Sequence, residues 1–308
     1  MMPGSELLRG AVDCHVHACP HINRRSVTVF DATRQAAAAG MRGLGLMDNF
    51  ANSAGMAALA MAELGHLGVE VFGGIILEPP AGGVSPEAVE IALRYGYGEG
   101  HGARFVSMPT HHTRHVARTE GRSPGYVEAA FAVPESGPLP APLLEILDLI
   151  AAHDVVLNTG HVSAPEARRL AVEARAHGVA RVLVPCNGYA PEEVRGIAAT
   201  GAYAEFSFFF HTHATMVGLT HVDREKHRAT FVPVEETAAA IRAATPARSI
   251  VSSDCGVSLL PPPVEGLREY LALLAAVGFD DEALRVMVAE NPARLFRVGP
   301  VTSGGSCP

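Results

Sequence analysis

Short apolar runs of β type alternate with alanine-rich helical runs along almost the whole chain. The β-type runs number eight: 11–17, 41–47, 69–77, 103–108, 154–159, 180–186, 202–207 and 248–253. The helical runs between them carry start and stop signals. Asp31 is placed to cap the helix that ends at Ala39, with Gly40 just after it, and Ser53 the next. Ser85 precedes Pro86, Ser163 precedes Pro165 and Glu166, and Pro191 opens a further helix. Eight such units in a chain of 308 residues predict a (β/α)₈ TIM barrel. The rival is a doubly wound open sheet, which usually places a glycine-rich phosphate loop after its first strand. Residues 15–23 contain no glycine, which favours the barrel. One barrel domain is expected over 1–298, with a disordered Gly/Ser-rich tail over 299–308.

Composition narrows the function classes. The chain is 48% hydrophobic, enough for a sizeable core, and its net charge is −8. That charge argues against a nucleic-acid partner or an anionic membrane surface. No run of 18 apolar residues predicts a membrane span, and residues 1–6 lack a signal-peptide pattern. Five irregularly spaced cysteines make no disulfide framework, so a cytoplasmic protein is expected. The barrel's outer helices leave a homo-oligomer open.

Two connections exceed what a compact βα loop needs, 110–142 after the fourth strand and 208–233 after the seventh. Both leave the C-terminal ends of strands, where barrels build their active sites. They are candidate lids or substrate-contact segments. The 15 histidines follow the same polarity. His66, His101, His153 and His177 precede strands, on the stability face. The other eleven lie at strand C-termini or just beyond: His15, His17, His21, His111, His112, His115, His161, His211, His213, His221 and His227.

The first strand ends Asp13-Cys14-His15-Val16-His17. Alternate residues of a strand share a face, so His15 and His17 point the same way, about 6–7 Å apart, with Asp13 behind them. Two such imidazoles can close on one metal ion. His161 ends the fifth strand in Asn158-Thr159-Gly160-His161, aimed at the barrel mouth. Asp254 ends the eighth strand in Ser252-Ser253-Asp254, and strand eight neighbours strand one. Imidazoles with a carboxylate suit a divalent ion, zinc first.

This arrangement resembles the amidohydrolase superfamily: DxHxH on strand one, His on strand five and Asp on strand eight. The segment Asn291-Pro292-Ala293-Arg294-Leu295-Phe296 is similar to one near the C-terminus of many members. The resemblance covers roughly residues 10–296. It implies a (β/α)₈ barrel with one or two divalent metals. It implies hydrolysis at carbonyl or phosphoryl centres, with decarboxylases and hydratases as minority branches. His15, His17 and His161 then match metal ligands. Asp254 matches a residue that binds metal and shuttles a proton, and Asp13 a supporting or structural acid.

The chain departs from that pattern at three places. Cys186 stands where the sixth strand usually ends in histidine; it is either a thiolate ligand or an inert buried thiol. The fourth strand offers no bridging Lys or Glu, only His111 and His112 beyond it. Glu78 ends the third strand as either a ligand or a rim carboxylate. One metal ion is therefore expected rather than two. Glu205, within the seventh strand, is either on the pocket floor or bonded to a neighbour. His211 and His213 repeat the HxH spacing and are a candidate second site. Arg114 and Arg118 are candidate clamps for a substrate carboxylate. The expected activity is metal-dependent hydrolysis of a small-molecule amide, lactone or ester. The alternatives are a metal-dependent lyase such as a decarboxylase, or a barrel that binds metal or ligand without catalysis.

Overall fold

The computed structural model describes residues 2–96, 102–217, 219–220, 226–227 and 229–299. Eight parallel strands form the barrel: β1 (Val12–Val16), β2 (Gly43–Leu46), β3 (Glu70–Ile76), β4 (Phe105–Ser107), β5 (Val156–Asn158), β6 (Val182–Pro185), β7 (Tyr203–Ser207) and β8 (Ser249–Ser252). Neighbours in space follow sequence order from β1 to β8. Each strand falls within one of the eight runs read from the sequence. The ring closes just beyond the last strand. His17 N–H donates to the Cys255 carbonyl at 2.8 Å, and Asp254 N–H donates to the His15 carbonyl at 2.9 Å. Val16 and Cys255 form a parallel bridge there.

The helices pack outside the strands, with a continuous apolar layer between. A second apolar cluster fills the barrel's interior, with Val12, Phe72, Phe105, Val156, Leu183 and Ile250 among its members. The C-terminal helix Asn291–Phe296 joins that cluster and plugs the barrel's N-terminal end. Phe296 stacks on Phe72 with ring centroids 4.8 Å apart. Asn291 Nδ2 donates to the carbonyls of Pro246 and Ser249, each at 2.8 Å, and so ties the plug to the start of β8. This gives the Asn291–Phe296 motif a structural role at the end of the barrel away from the histidines.

Several local expectations are corrected. The first helix (Val29–Ala38) is capped by Thr28, with Asp31 at the third helical position closing a capping box. Ser53 does precede its helix, but its hydroxyl lies 2.7 Å from the Leu46 carbonyl and 2.9 Å from Gly74 N–H. It joins β2 to β3 instead of capping. The connection after β4 holds two short helices, Arg114–Thr119 and Pro124–Ala129. Their caps, Thr113 and Ser123 with Pro124, are ordinary signals that six-residue helices make hard to read. The connection after β7 begins with two 3₁₀ turns, Phe208–His211 and His213–Met216, followed by the paired segments Leu219–Thr220 and Lys226–His227.

The regular alternation expected along β1 is broken. Val12 pairs with Gly43 and Asp13 with Leu44, but Val16 pairs with Leu46, so β1 spends one extra residue against β2. A bulge of this kind re-aims the side chains around it. Cys14 consequently belongs to the interior apolar cluster, while its neighbour His15 also turns inward, and both lie against Glu205. Residues 300–308, the expected tail beyond Gly299, lie outside the described residues. Among the described residues no helix is long and apolar enough to cross a membrane.

Because Phe296 is 1% exposed and fills the barrel end, Phe296→Ala is expected to cost about 3–5 kcal/mol. Equilibrium denaturation measures this. A loss below about 1 kcal/mol would contradict the plug.

Candidate metal centre

The mouth of the barrel opens into a cavity of about 660 Å³ whose lining includes His15, His17, His111, His115, His161 and Asp254. At its floor, His15, His17 and Asp254 offer ligand atoms that all lie within 4.8 Å of one another. His17 Nε2 is 3.0 Å from Asp254 Oδ1, and His15 Nε2 is 3.3 Å from the same oxygen. Ligands about 2.0–2.1 Å from a tetrahedral ion are separated by roughly 3.3–3.4 Å. The two imidazole–carboxylate spacings therefore approximate edges of such a polyhedron. Nitrogen and oxygen donors with this spacing fit a divalent metal.

The backbone holds these donors in place. Asp254 adopts a left-handed conformation (φ 50°), which is uncommon outside glycine and favoured among other residues by Asp and Asn. Its N–H still bonds to β1 while the carboxylate meets both histidines. Gly256 follows with φ 106°, and a Cβ there would lie 1.6 Å from the His17 carbonyl oxygen, so only glycine permits this crossing. Asp13 Oδ1 accepts from Ser253 N–H at 3.0 Å and His15 N–H at 3.3 Å. It thus fastens the two strand ends from behind.

Glu205 is fully buried on β7, and its Oε1 lies 3.1 Å from His15 Nδ1. Ser252 Oγ donates to the same oxygen at 2.8 Å, while Oε2 is buried without a partner among the described residues. A carboxylate on the far nitrogen of a ligating histidine fixes its tautomer and turns Nε2 toward the ion. The sequence left Glu205 between pocket floor and bonded neighbour. It is bonded, and to a candidate ligand.

Electrostatics follow this geometry. Burial alone would favour neutral His15, yet Asp254 and Glu205 outweigh it and raise the imidazole to about 9. Burial lowers His17. Asp254 is held below the ordinary carboxylate range; burial opposes this, and His15 and His17 prevail. Two carboxylates facing these imidazoles make a locus that calls for positive charge. Burial also draws His161 down to about 4, so this imidazole is neutral at physiological pH, the form a metal ligand requires.

His161 faces the same cavity but stands outside the tight group of three donors. Its neighbour Gly160 (φ 68°) allows the chain to pass the Pro109 carbonyl, to which His161 N–H donates at 3.1 Å. Glu78 is engaged elsewhere. Its Oε1 accepts from Thr110 N–H (2.7 Å) and His111 N–H (2.6 Å), and its Oε2 from His112 N–H (3.2 Å). It organises the turn after β4 and does not line the cavity. Cys186 is buried in the apolar layer, with its thiol pushed well above its usual range by burial and by Glu205. Neither residue joins the three-donor group.

The remaining histidines divide. His211 Nδ1 bonds to the Val232 carbonyl at 2.7 Å and its Nε2 lies 3.3 Å from Tyr270 Oη. His213 stacks on Phe231. His211 ties its loop to the helix that carries Tyr270, His213 packs within the loop, and the pair does not assemble a second metal group among the described residues. Arg114 donates to the carbonyls of Val127 and Glu128, and neither it nor Arg118 lines the cavity. His101, His221 and the side chain of His227 lie outside the described residues.

These roles separate experimentally. Glu78→Ala should cost about 2–4 kcal/mol, since it strips three backbone N–H groups of a buried acceptor, and leave metal stoichiometry intact. Glu205→Gln should weaken metal affinity about 10- to 100-fold by competition titration against a chelator. Loss of metal in the first variant, or unchanged affinity in the second, would contradict the assignment.

Comparison with known proteins agrees on the fold. The amidohydrolase from Pseudomonas aeruginosa superposes with a TM-score of 0.55 at 12% identity, covering 96% of this chain and 99% of that one. The probable dipeptidase PvdM from Pseudomonas aeruginosa gives 0.62 at 11% identity, covering 96% and 97%. An organophosphorus hydrolase from Deinococcus radiodurans gives 0.54 at 14% identity, covering 87% and 82%. Identities this low establish a shared barrel architecture. No curated protein matches the sequence. Residues 10–205 match the model of a family of unknown function, DUF6282, and the chain belongs to that family.

Proposed function

We propose that the chain is a metal-dependent hydrolase of the amidohydrolase type, acting on a small-molecule amide, lactone or ester. One observation carries this reading. Two imidazole Nε2 atoms converge on a single carboxylate oxygen at the floor of a barrel-mouth cavity. Solved barrels of similar fold whose names are hydrolytic, an organophosphorus hydrolase and a dipeptidase among them, support it. His15 Nε2, His17 Nε2 and Asp254 Oδ1 would hold one divalent ion, zinc first, with neutral His161 beside them as a further donor. Such an ion lowers the pKa of a bound water toward about 7 and polarises a carbonyl.

The chain's own groups supply the rest. Asp254 accepts the proton of the attacking water on its carboxylate and returns it to the departing nitrogen or oxygen. The carbonyl carbon gains the water oxygen as its bond to the leaving group breaks. Glu205 keeps His15 Nδ1 hydrogen-bonded, so that Nε2 remains the ligating atom. The connections after β4 and β7 wall the cavity and set which substrate enters.

Zinc-reconstituted protein should turn over at least one member of an ester, lactone, amide and dipeptide panel. Asp254→Asn should lower that rate about 10²–10⁴-fold. Carbon dioxide release in place of a new acid would identify a lyase. Wild-type rates from chelated protein, or from Asp254→Asn, would overturn the reading.

A further inference from the structure

The connection from β1 to the first helix brings two arginines, Arg24 and Arg25, to the wall of the same cavity. Arg25 sits on a braced segment. Its residue bridges Val257 in antiparallel fashion, Ser26 N–H donates to the Gly256 carbonyl at 2.7 Å, and Cys19 pairs with Val27 at 2.9 Å. The segment that carries Arg25 is thus fixed to the turn that carries Asp254.

The guanidinium feels Asp48 and, less strongly, Asp254, but among the described residues neither carboxylate reaches ion-pair distance. Its Nη2 lies 2.8 Å from His21 Nε2, and that nitrogen is 3.6 Å from Asp48 Oδ1. Asp48 is itself occupied by the N–H groups of Phe50 (2.8 Å) and Ala51 (3.2 Å). Among the described residues no carboxylate pairs directly with Arg25, and its Nε is buried without a hydrogen bond. Burial draws Arg25 down to about 10, which still leaves it cationic at neutral pH. The acids on the cavity wall have nearer partners: Asp254 faces His15 and His17, Glu120 pairs with Arg122, and Glu193 accepts from Ala190 N–H. A partly buried cation whose carboxylates stand beyond ion-pair distance is only partly compensated, and a buried charge left so is costly.

We infer that Arg25 is a substrate-specificity residue, and that the substrate carries a carboxylate which Arg25 grips while its scissile carbonyl faces His15, His17 and Asp254. The inference rests on the hydrolase reading above and narrows its substrate class. A guanidinium presents paired donors that match the two coplanar oxygens of a carboxylate, and a single monoanion balances its charge. The bracing of the loop means that little ordering remains to be done on binding.

Binding of two hydroxamates to zinc-loaded protein tests this by calorimetry. Acetohydroxamate offers only a metal-binding head, whereas succinic monohydroxamate adds a carboxylate. Wild-type protein should prefer the second by about tenfold or more, and the preference should shrink as salt is raised. In Arg25→Gln the two affinities should fall within about twofold of each other. Arg25→Lys should also lose most of the preference, because an ammonium cannot pair with both oxygens. Equal affinities in wild-type protein, or a preference that survives both variants, would overturn the inference alone. Failure of both hydroxamates to bind would overturn the metal-centre reading and this inference with it.

Discussion

The closure between the first and last strands is the interaction on which the rest of the molecule depends. Two backbone hydrogen bonds, Asp254 N–H to His15 and His17 N–H to Cys255, join segments separated by some 240 residues of chain. Without that seam there is no ring, and the two histidines never meet the aspartate. The local structure is shaped to permit it. Asp254 takes a left-handed conformation, Gly256 passes a carbonyl that no Cβ could approach, and Asp13 bonds both strand ends from behind. An aspartate in that conformation carries a conformational cost, and the surrounding hydrogen bonds over-determine it.

The ends of the barrel divide the work. At the N-terminal end, the Asn291–Phe296 helix closes the interior with apolar side chains and ties itself to β8. At the C-terminal end the interior turns polar, beginning with Glu205 and Ser252 and ending with the histidines. Glu205 marks the transition. It is buried, hydrogen-bonded through one oxygen to Ser252 and His15, and its other oxygen has no partner among the described residues. A buried carboxylate in that position is expensive unless positive charge lies nearby. His15 supplies it when protonated, and a metal ion on His15 would supply it otherwise.

Much of this was legible in the sequence because the barrel repeats one simple unit. Each strand is a short apolar run and each helix is punctuated by a cap, so the eight strands could be read to within a few residues. His15, His17 and Asp254 were legible because strand ends point to one face of a barrel. What escaped reading depends on contacts across the ring. The bulge in β1 is set by pairing with β2, and no alternation rule anticipates it. Ending a strand, Glu78 reads equally as a ligand or a rim carboxylate. Its acceptors are used by the turn of a neighbouring connection, which sequence order does not reveal. Glu205 was ambiguous because its partner lies 190 residues away. Nothing in its sequence neighbourhood distinguishes Arg25; its place on the cavity wall, with no carboxylate at ion-pair distance among the described residues, is visible only in three dimensions.

X-ray absorption spectroscopy on the zinc-loaded protein examines the centre most directly. About one zinc per chain is expected, with nitrogen and oxygen neighbours at about 2.0–2.1 Å, imidazole scattering from at least two histidines, and no sulfur. The signal should be lost in a variant lacking His15 and His17. A zinc–sulfur path near 2.3 Å would place Cys186 or another thiol in the centre. That result, or the absence of any specifically bound ion, would contradict a centre built on His15, His17 and Asp254.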